Sequence, residues 1–555
     1  MTGQRPNVLL IITDEWRAQA FGHAGDENAR TPHLDRLASE SLSLDQAIAG
    51  TPICCPSRAS FLTGQYPLTH GVFINDVPLR PATRALPEVF AAAGYDTAHI
   101  GKWHLHGSPG GRFERRESYI PPEGRFGFRY WKSAECTHDY NRSVYFEGDD
   151  DTRRYWDGYD AIAQTADACA YLRRRTDDEP FFMVVSYGPP HFPLDSAPAP
   201  YATRYRDRPI TLRANVPDAR REEAETDLRG YYAHIAAVDD CVGLLMSTLE
   251  ETGQDRSTIV VFTSDHGDML FSQGLEHKLT PWEEAVRVPL LIRHAGTLPP
   301  ARSQVLFNSP DLMPTLLGLA GLPVPAGVQG TDVLDRRAPQ PTSAFLGAPV
   351  PFATMRQYGF GEYRGVRDER YTYVRTRNGP WLLYDNVADP YQMNNLCHRA
   401  DARSERDRLD GELDRWLERL GDEFLAGEEY LRRDGLAHYY EATQRVGSAQ
   451  SPWGDWASTM TPDEEPEPDA GWSVENTLLG EIYADGQGRI ILEEELPDLV
   501  ALAEFERCCQ APLSLLSGFL PDLLPPERIA AVSRRLAAVV TVDGHPAVPA
   551  GENRG

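Results

Sequence analysis

STIVVFTSDHGD, residues 257–268, joins an apolar run to a group of ligand-like side chains. The run STIVVFT (257–263) is mostly β-branched or aromatic and uncharged, which is typical of a strand buried on both faces of a sheet. Carboxylate and imidazole groups follow it at once in SDHGD. The stretch therefore predicts a buried strand whose carboxyl end carries functional side chains.

Three further apolar runs have the same design. NVLLIIT (7–13) leads into Asp14 and Glu15, DTAHI (96–100) into GKWHLHG, and PFFMVVSYG (180–188) into PPHFP. Functional sites of open α/β sheets lie beyond the carboxyl ends of the strands. We therefore expect the four segments to meet at one crevice, and this convergence is stronger evidence than any single motif.

Segments with helical periodicity separate these strands: TPHLDRLASESL (31–42), RALPEVFAAAG (84–94), DAIAQTADACAYLRRR (160–175) and the long segment 222–253. The alternation of strands and helices predicts an α/β sandwich with a large, mostly parallel central sheet. Farther along, the segments 363–376 and 380–386 predict an antiparallel element, and a helix follows at 403–420. The chain therefore also contains a smaller subdomain toward its C-terminus.

These changes of pattern predict three regions. They are a catalytic domain (1–335), a smaller α+β subdomain (336–425) and an extension of unknown role (426–555). Within the extension, the acidic, proline-rich stretch TPDEEPEPDAG (461–471) has the composition of a linker. The short amphipathic helices expected after it contain Cys508 and Cys509, which we interpret as small buried side chains.

Charge and cysteine content exclude several classes of protein. The 55 Lys and Arg against 82 Asp and Glu give a net charge of −27, which repels nucleic acid and anionic membranes. No apolar run has the length of a transmembrane helix, and the first apolar run is interpreted as a strand, so the expected location is the cytoplasm. The eight cysteines lack the spacing of a disulfide framework or of a structural zinc site.

The basic residues are almost all arginine. Only Lys102, Lys132 and Lys278 are lysine among the 55 basic residues. An ammonium meets a small oxyanion as a compact point charge, which a planar guanidinium does not reproduce. The three lysines are therefore candidates for binding an anion.

GTPICCPSRASFLTG, residues 50–64, places two thiols at the start of a predicted helix. Pro56 suits the first helical turn, which puts Cys54 at or just before the helix N-terminus, where free backbone N–H groups favour anions. From the residues alone, Cys54 is a nucleophilic thiolate, a metal ligand or an ordinary helix residue.

Taken together, CCPSRASFLTG, GKWHLHG and the two carboxylate motifs resemble the type I sulfatases of the alkaline phosphatase superfamily. The resemblance covers roughly residues 5–400 and implies the alkaline phosphatase-like sandwich. It also implies that a separate formylglycine-generating enzyme oxidises Cys54, the first residue of C-x-P-S-R, to Cα-formylglycine. Cys55 occupies the variable position. One hydroxyl of the hydrated aldehyde attacks sulfur and expels the alcohol, and the other then loses its proton so that sulfate is released.

The resemblance further implies one divalent metal. Asp14, Asp265 and His266 resemble its ligands, Glu15 stands where many relatives have a second aspartate, and the formylglycine made from Cys54 completes the set. A mostly oxygen site favours a hard cation, and the family implies Ca²⁺. The imidazole of His266, where many members have asparagine, and the longer Glu15 leave Mn²⁺ or Mg²⁺ open.

Further roles follow from the same motifs. Lys102 and Lys278 resemble the lysines that hold the sulfate oxygens, and Arg58 would support the formylglycine and the metal. By the same resemblance, His104 would take the proton from the second hydroxyl. His191, in PPHFP, would help to protonate the departing alcohol.

WKSAECTHDY, residues 131–140, is rich in polar groups and has no apolar periodicity. Related arylsulfatases carry a Ser-His-Asp segment at a similar place. By that resemblance Thr137 would donate to a sulfate oxygen, with His138 close by. Lys132 and Tyr140 would face the alcohol part of the substrate.

The sequence thus predicts a sulfuric ester hydrolase for an aryl, choline-like or carbohydrate sulfate, either a small molecule or a saccharide. The alternative is a phosphonate or phosphodiester monoester hydrolase, in whose branch the Asp265–His266 pair also occurs, although the combination of Lys102 and His104 favours a sulfatase. A non-catalytic binding protein of the same fold is expected to lose the nucleophile, the ligands or the lysines, and this chain keeps them all.

Overall fold

The first part of the chain contains a large β-sheet and a small one. The strands of the large sheet are β1 (Asn7–Asp14), β2 (Leu42–Ile48), β3 (Asp96–Lys102), β4 (Tyr130–Ala134), β5 (Val144–Glu147), β6 (Asp150–Tyr155), β7 (Phe181–Pro190), β8 (Thr258–Ser264), β9 (Leu290–His294) and β10 (Ala301–Asn308). They are arranged in the order β10-β2-β9-β8-β1-β7-β3-β4-β5-β6. The five central strands from β8 to β4 run parallel, whereas β9, β5 and β6 pair antiparallel.

This computed structural model describes residues 5–108, 115–175, 179–352, 354–439, 479–484, 486–501, 513, 524–536, 541–542 and 545–546. The chain divides into two units, of which the first holds residues 1–350 and 362–439 and the second holds residues 351–361 and 440–555. Among the described helices, none combines the length and apolarity needed to span a bilayer.

The predicted mostly parallel sheet is confirmed, and its register brings the polar strand ends together. The predicted strands 7–13, 96–100, 180–188 and 257–263 form β1, β3, β7 and β8, each ending one or two residues later than predicted. Thr13 of β1 lies opposite Ser264 of β8, and Asp14 lies opposite Pro190 of β7. The residues that follow these strands therefore emerge at one edge of the sheet.

Helices cover the sheet of the first unit. They are α1 (Pro32–Ser39), α2 (Cys54–Thr63), α3 (Pro67–His70), α4 (Leu86–Ala92), α5 (Asp160–Arg173), α6 (Ala199–Tyr205), α7 (Arg221–Glu251), α8 (Glu283–Val286), α9 (Leu312–Leu319), α10 (Arg403–Leu420) and α11 (Gly427–Arg433). Every residue of α2 is buried, so this helix lies inside the fold and its first residue, Cys54, is held against the end of the sheet.

The small sheet contains β11 (Ala344–Ala348), β12 (Tyr363–Arg367), β13 (Tyr371–Thr376) and β14 (Gly379–Asp385), all antiparallel. It confirms the predicted antiparallel element. The helix predicted at 403–420 is α10, whose Leu409, Leu413 and Trp416 pack against the sheet residues Val366 and Tyr373.

The second unit contains short helices at Thr354–Gln357, Leu479–Ala484, Gly486–Glu495, Pro497–Val500 and Pro526–Leu536. Leucine, isoleucine and valine side chains of the later helices form their own apolar cluster. The predicted linker 461–471, as well as Cys508 and Cys509, lies outside the described residues. The domain borders at 335 and 425 stay a prediction.

Candidate active site

The thiol of Cys54 lies at the centre of the crevice at the carboxyl edge of the sheet. Cys54 is 1% exposed, and its preceding residue has an extended backbone, so the helix begins at the thiol. Its Sγ atom lies 3.2 Å from Lys278 Nζ and 3.4 Å from His266 Nε2. The Oδ1 atom of Asp14 is 3.7 Å away. Segments far apart in sequence therefore meet at this one atom, among them the ends of β1 and β8.

The two adjacent thiols have opposite environments. Burial raises the pKa of Cys54, but the ammonium groups of Lys102 and Lys278 outweigh it and hold that pKa well below its ordinary value. Cys55 Sγ instead accepts the backbone N–H of Asp76 at 3.3 Å. Burial raises the pKa of Cys55 to about 11. Only Cys54 lies among cations that favour a negative charge on its side chain.

Four side chains around Cys54 have the donor set of a metal site. Ligand atoms of Asp14, Cys54, Asp265 and His266 all lie within 4.8 Å of one another, and all four residues are buried. His266 Nδ1 lies 2.9 Å from the carbonyl oxygen of Gly267 and donates to it, so that Nε2, which faces Cys54, is the nitrogen that would bind a metal. The residues present therefore fit a divalent cation.

Glu15 occupies a different position from the other predicted ligands. Its Oε1 atom lies 2.6 Å from Lys278 Nζ and 3.4 Å from His191 Nε2. A second group of atoms within 4.8 Å of one another combines Glu15 with Asp14 and His191. The carboxylate of Glu15 thus connects the ligand group to the Lys278–His191 pair.

Arg58 holds two of the candidate metal-ligand carboxylates, those of Asp14 and Asp265, by hydrogen bonds. From the first turns of α2, its Nε donates to Asp265 Oδ2 at 2.8 Å and its Nη2 donates to Asp14 Oδ2 at 3.2 Å. Its Nη1 donates to the hydroxyl of Ser186, on β7, at 2.7 Å. Because the guanidinium is 4% exposed and its hydrogen bonds fix both carboxylates, it orients them without reaching into open solvent.

Two of the three lysines lie at the site. Lys102 pairs with Asp14, and Lys278 pairs with Glu15. Burial by itself would raise the pKa of Asp14, but with the opposing charge of Lys102 this carboxyl is held well below its usual range. The two ammonium groups therefore keep positive charge beside Cys54.

His191 is held as a neutral hydrogen-bond acceptor. Its Nδ1 donates to the carbonyl oxygen of Phe192 at 2.8 Å, and its Nε2 accepts from Lys278 Nζ at 2.9 Å. Burial, together with the charge of Lys278, lowers the pKa of His191 to about 3. A proton delivered at this position therefore comes from the Lys278–His191 pair as a unit.

The segment 131–140 is divided between the site and the back of the sheet. The ring of His138 stacks on that of His191, with centroids 4.7 Å apart and planes 12° from parallel. Thr137 and Lys102 both line a small cavity of about 20 Å³. His138 therefore contacts the group directly, whereas Thr137 shares a cavity wall with Lys102.

Lys132 does not join them, and this corrects its expected position. Its Nζ lies 2.6 Å from Asp167 on α5 and 3.5 Å from Glu147 on β5. Lys132 lies opposite Ile100 within the sheet, two residues before the strand end. Tyr140 is also fully engaged, because its hydroxyl donates to the carbonyl oxygen of Phe192 at 3.1 Å and its side chain is buried.

Sequence reasoning missed the neighbours that hold this group in place. Asn75 Oδ1 accepts the backbone N–H of Cys55 at 3.0 Å, and Asp76 faces the ring of His104. Asn75 and Asp76 directly follow the apolar run VFI (72–74), and this position could have indicated from the sequence that they lie near the site.

A model of the family described as "Sulfatase" matches residues 6–322, more than half of the chain, and one described as "N-sulphoglucosamine sulphohydrolase, C-terminal" matches residues 273–419. The chain belongs to the sulfatase family. Its class is therefore that of the sulfuric ester hydrolases, as the sequence predicts.

Named sulfatases align with this chain over most of their length. An ulvan-active sulfatase of Formosa agariphila is 40% identical over 81% of this chain and 89% of its own. An endo-4-O-sulfatase of Bacteroides thetaiotaomicron is 32% identical over 71% of this chain and 88% of its own. The crystal structure of the putative sulfatase YidJ from Bacteroides fragilis has a TM-score of 0.69 at 27% identity and covers 78% of this chain and 98% of that one. The predicted alkaline phosphatase-like fold is confirmed by these similarities.

Proposed function

We propose that this sulfatase removes a sulfate group from a sulfated saccharide, with residue 54 as the nucleophile after its conversion to formylglycine. The observation that carries the proposal is the surroundings of Cys54 Sγ, which has an ammonium, an imidazole and a carboxylate within 3.7 Å. A thiol that served as an ordinary helix residue would not need this arrangement.

The proposed metal ligands are Asp14, Asp265, His266 and the side chain of residue 54, with Glu15 as a further candidate. Bound there, a divalent cation would supply positive charge for the sulfate oxygens and for the attacking hydroxyl. Two buried aspartates and an oxygen at residue 54 make Ca²⁺ the first expectation, and the imidazole of His266 keeps Mn²⁺ and Mg²⁺ as alternatives.

Two lysines and two histidines are proposed to bind the sulfate group and to transfer protons. Lys102 and Lys278 bind the sulfate oxygens and stabilise the charge that develops on them. The Lys278–His191 pair, joined by a hydrogen bond of 2.9 Å, supplies the proton that the departing alcohol oxygen needs. His104, whose side chain is 1% exposed, accepts the proton of the second hydroxyl of residue 54.

A saccharide is favoured over an aryl or choline-like alcohol for two reasons. The ring of His138, which stacks on His191 and lies 5.0 Å from Phe192, is partly exposed and is an aromatic group of the kind that sugar rings pack against. The relatives named above include an ulvan-active sulfatase and an endo-4-O-sulfatase. Thr137 would contribute a hydroxyl to a sulfate oxygen beside this surface.

A phosphonate or phosphodiester monoester hydrolase remains the second candidate, on the strength of the Asp265–His266 pair. The test is one set of assays on protein produced together with a formylglycine-generating enzyme. It compares 4-nitrophenyl sulfate with the corresponding phosphate and phosphonate monoesters, and it measures sulfate release from sulfated saccharides. We expect sulfate esters to be turned over fastest, and saccharide sulfates with a higher kcat/KM than the aryl ester. The proposal fails if the phosphonate is the preferred substrate of the metal-loaded enzyme.

The cytoplasmic location of the protein stays a prediction.

A further inference from the structure

Asp76 lies in the connection between α3 and α4 and is 1% exposed. Arg116 holds its carboxylate with two hydrogen bonds, from Nε to Oδ1 at 3.1 Å and from Nη2 to Oδ2 at 2.8 Å. This fork fixes the plane of the carboxylate and neutralises its charge inside the protein. The pair would be a plain structural ion pair if nothing else faced it.

His104 faces the same carboxylate. Its Nε2 lies 3.9 Å from Asp76 Oδ1, and the imidazole is 1% exposed. Neither ring nitrogen of His104 has a hydrogen-bond partner among the described residues. A separation of 3.9 Å is longer than a hydrogen bond, but catalytic hydrogen bonds in ligand-free enzymes are often long and shorten when substrate binds.

Hydrogen bonds from other segments hold the backbone of Asp76 in place. The Tyr439 hydroxyl donates to the carbonyl oxygen of Asp76 at 3.0 Å and contacts that of Ser108 at 2.8 Å. Ser108 N–H in turn donates to the Asp76 carbonyl at 2.7 Å. Asp76 and His104 also both have left-handed backbones, with φ of 64° and 60°, which non-glycine residues rarely adopt. Such strained residues cluster at functional sites, where the surrounding structure imposes them.

We propose that Asp76 is a positioning residue for His104 in the release of sulfate, an inference that rests on the proposed function. With hydrogen on Nε2 directed at Asp76, the lone pair on Nδ1 of His104 is left to act as the base. The carboxylate also stabilises the imidazolium that forms when the ring accepts a proton. Arg116 keeps the carboxylate ionised and aimed.

Sulfate release assisted in this way moves one proton and breaks one C–O bond. The O–H bond of the free hydroxyl on residue 54 breaks, and its proton moves to Nδ1 of His104. The electron pair left on that oxygen forms the C=O bond of the aldehyde, and the bond from the same carbon to the sulfated oxygen breaks. Sulfate departs with that electron pair. Asp76 therefore acts after the alcohol has left and has no part in the first chemical step.

The test separates the two steps with 4-nitrophenyl sulfate as the probe. In Asp76→Asn enzyme we expect a burst of one 4-nitrophenol per active site, followed by turnover slowed roughly 10- to 100-fold, by analogy with the loss of an outer hydrogen-bond partner of a metal-bound histidine. Mass spectrometry of the quenched variant should find the peptide with residue 54 heavier by one sulfo group. The burst itself counts the folded active sites, so a poorly folding variant is recognised and corrected for.

Two further variants complete the design. Arg116→Gln frees Asp76 from its fork and should slow the same step by a smaller factor, with the same sulfated peptide. Asp311→Asn alters another buried carboxylate, one that accepts backbone N–H groups from Asn308 and Thr331, and should accumulate no sulfated peptide. Equal slowing of both steps in Asp76→Asn, or unchanged turnover, would overturn the positioning role. If the wild-type enzyme turns over no sulfate ester, the proposed function itself is overturned, and this inference with it.

Discussion

Two of the groups of buried charges in the first unit differ in how their hydrogen bonds are satisfied. In the small-sheet region, Arg364 is 0% exposed and pairs with Asp422 through Nε and Nη2. Its Nη1 donates to the carbonyl oxygens of Ala348 and Tyr363, and Asp422 also accepts from the Tyr430 hydroxyl. Hydrogen bonds thus satisfy both charged groups, which is what a buried ion pair requires.

The site around Cys54 instead tolerates strain and unsatisfied groups. Glu15, Asp76, His104 and His277 have left-handed backbones with φ between 60° and 64°. Each such non-glycine residue costs about 1–2 kcal/mol. Within the described part of the chain, the ring nitrogens of His104 make no hydrogen bond of ordinary length, and Asp76 Oδ1 lies 3.9 Å from Nε2. Burial and charge therefore do not mark a functional site by themselves, and around Cys54 they coincide with several strained backbones in one cluster of polar residues.

The largest effect is expected at Cys54. Cys54→Ala should lower kcat by roughly 10⁴-fold or more, because an enzyme without its nucleophile keeps only residual catalysis. Steady-state assays of 4-nitrophenyl sulfate measure this, and Cys55→Ser is the matched control. In wild-type protein made with the maturation enzyme, peptide mass spectrometry should find formylglycine at residue 54 and cysteine at residue 55. An unmodified Cys54 in fully active enzyme contradicts the proposed chemistry.

Substitution of Arg364 should affect stability and leave catalysis unchanged, which is the opposite of the effect expected at Cys54. Arg364→Leu should lower the free energy of unfolding by about 3–5 kcal/mol, because it leaves the buried carboxylate of Asp422 without a partner. Turnover per folded molecule should stay unchanged. Denaturant unfolding and active-site titration check the two quantities. The double variant Arg364→Leu/Asp422→Leu should regain much of the loss, and a fall in kcat of the folded fraction would erase the contrast between the two regions.

Lys102→Arg and Lys278→Arg test the site charges one at a time. Each should lower kcat about 100-fold, or about 3 kcal/mol in activation free energy, since a guanidinium cannot replace an ammonium that contacts a developing oxyanion. The melting temperature should change little, as the charge and most of the volume are kept. Kinetics and thermal unfolding of the same preparations measure both. Near-normal turnover in either variant would show that the retention of lysine there has no catalytic meaning.

The sequence predicts the site well where local pattern and chemistry coincide. Asp14 and Asp265 follow apolar runs directly, so their position at a shared sheet edge could be inferred without coordinates. The strands β2, LSLDQAI, and β10, ARSQVLFN, were not predicted because they mix polar and apolar residues. Asp76 was not predicted either, because its partner Arg116 is 40 residues away in the chain.

Lys132 was wrongly predicted to face the substrate, again because the sequence does not reveal long-range pairing. Residue type suggested an anion-binding group, but successive side chains of a strand point to opposite faces of the sheet. Lys132 lies within β4, and its ammonium pairs with Asp167 of α5. The face of the sheet to which the Lys132 side chain points is set by the pairing of β4 with β3, which a single sequence does not reveal.

The smallest expected effects compare Thr137 with Lys132, which are five residues apart on the two sides of the strand end. Thr137→Val should lower kcat/KM about tenfold on every sulfate ester, because all share the group that the hydroxyl would contact, and one such hydrogen bond to a charged group contributes about 1.5 kcal/mol. Lys132→Met, the matched control, should leave the ranking of the esters as it is, since its ammonium is occupied by Asp167 and Glu147. Measuring kcat/KM for aryl, choline and saccharide sulfates separates the two. A changed ranking in Lys132→Met would restore this residue to the substrate pocket, and wild-type kinetics in Thr137→Val would remove the loop from it.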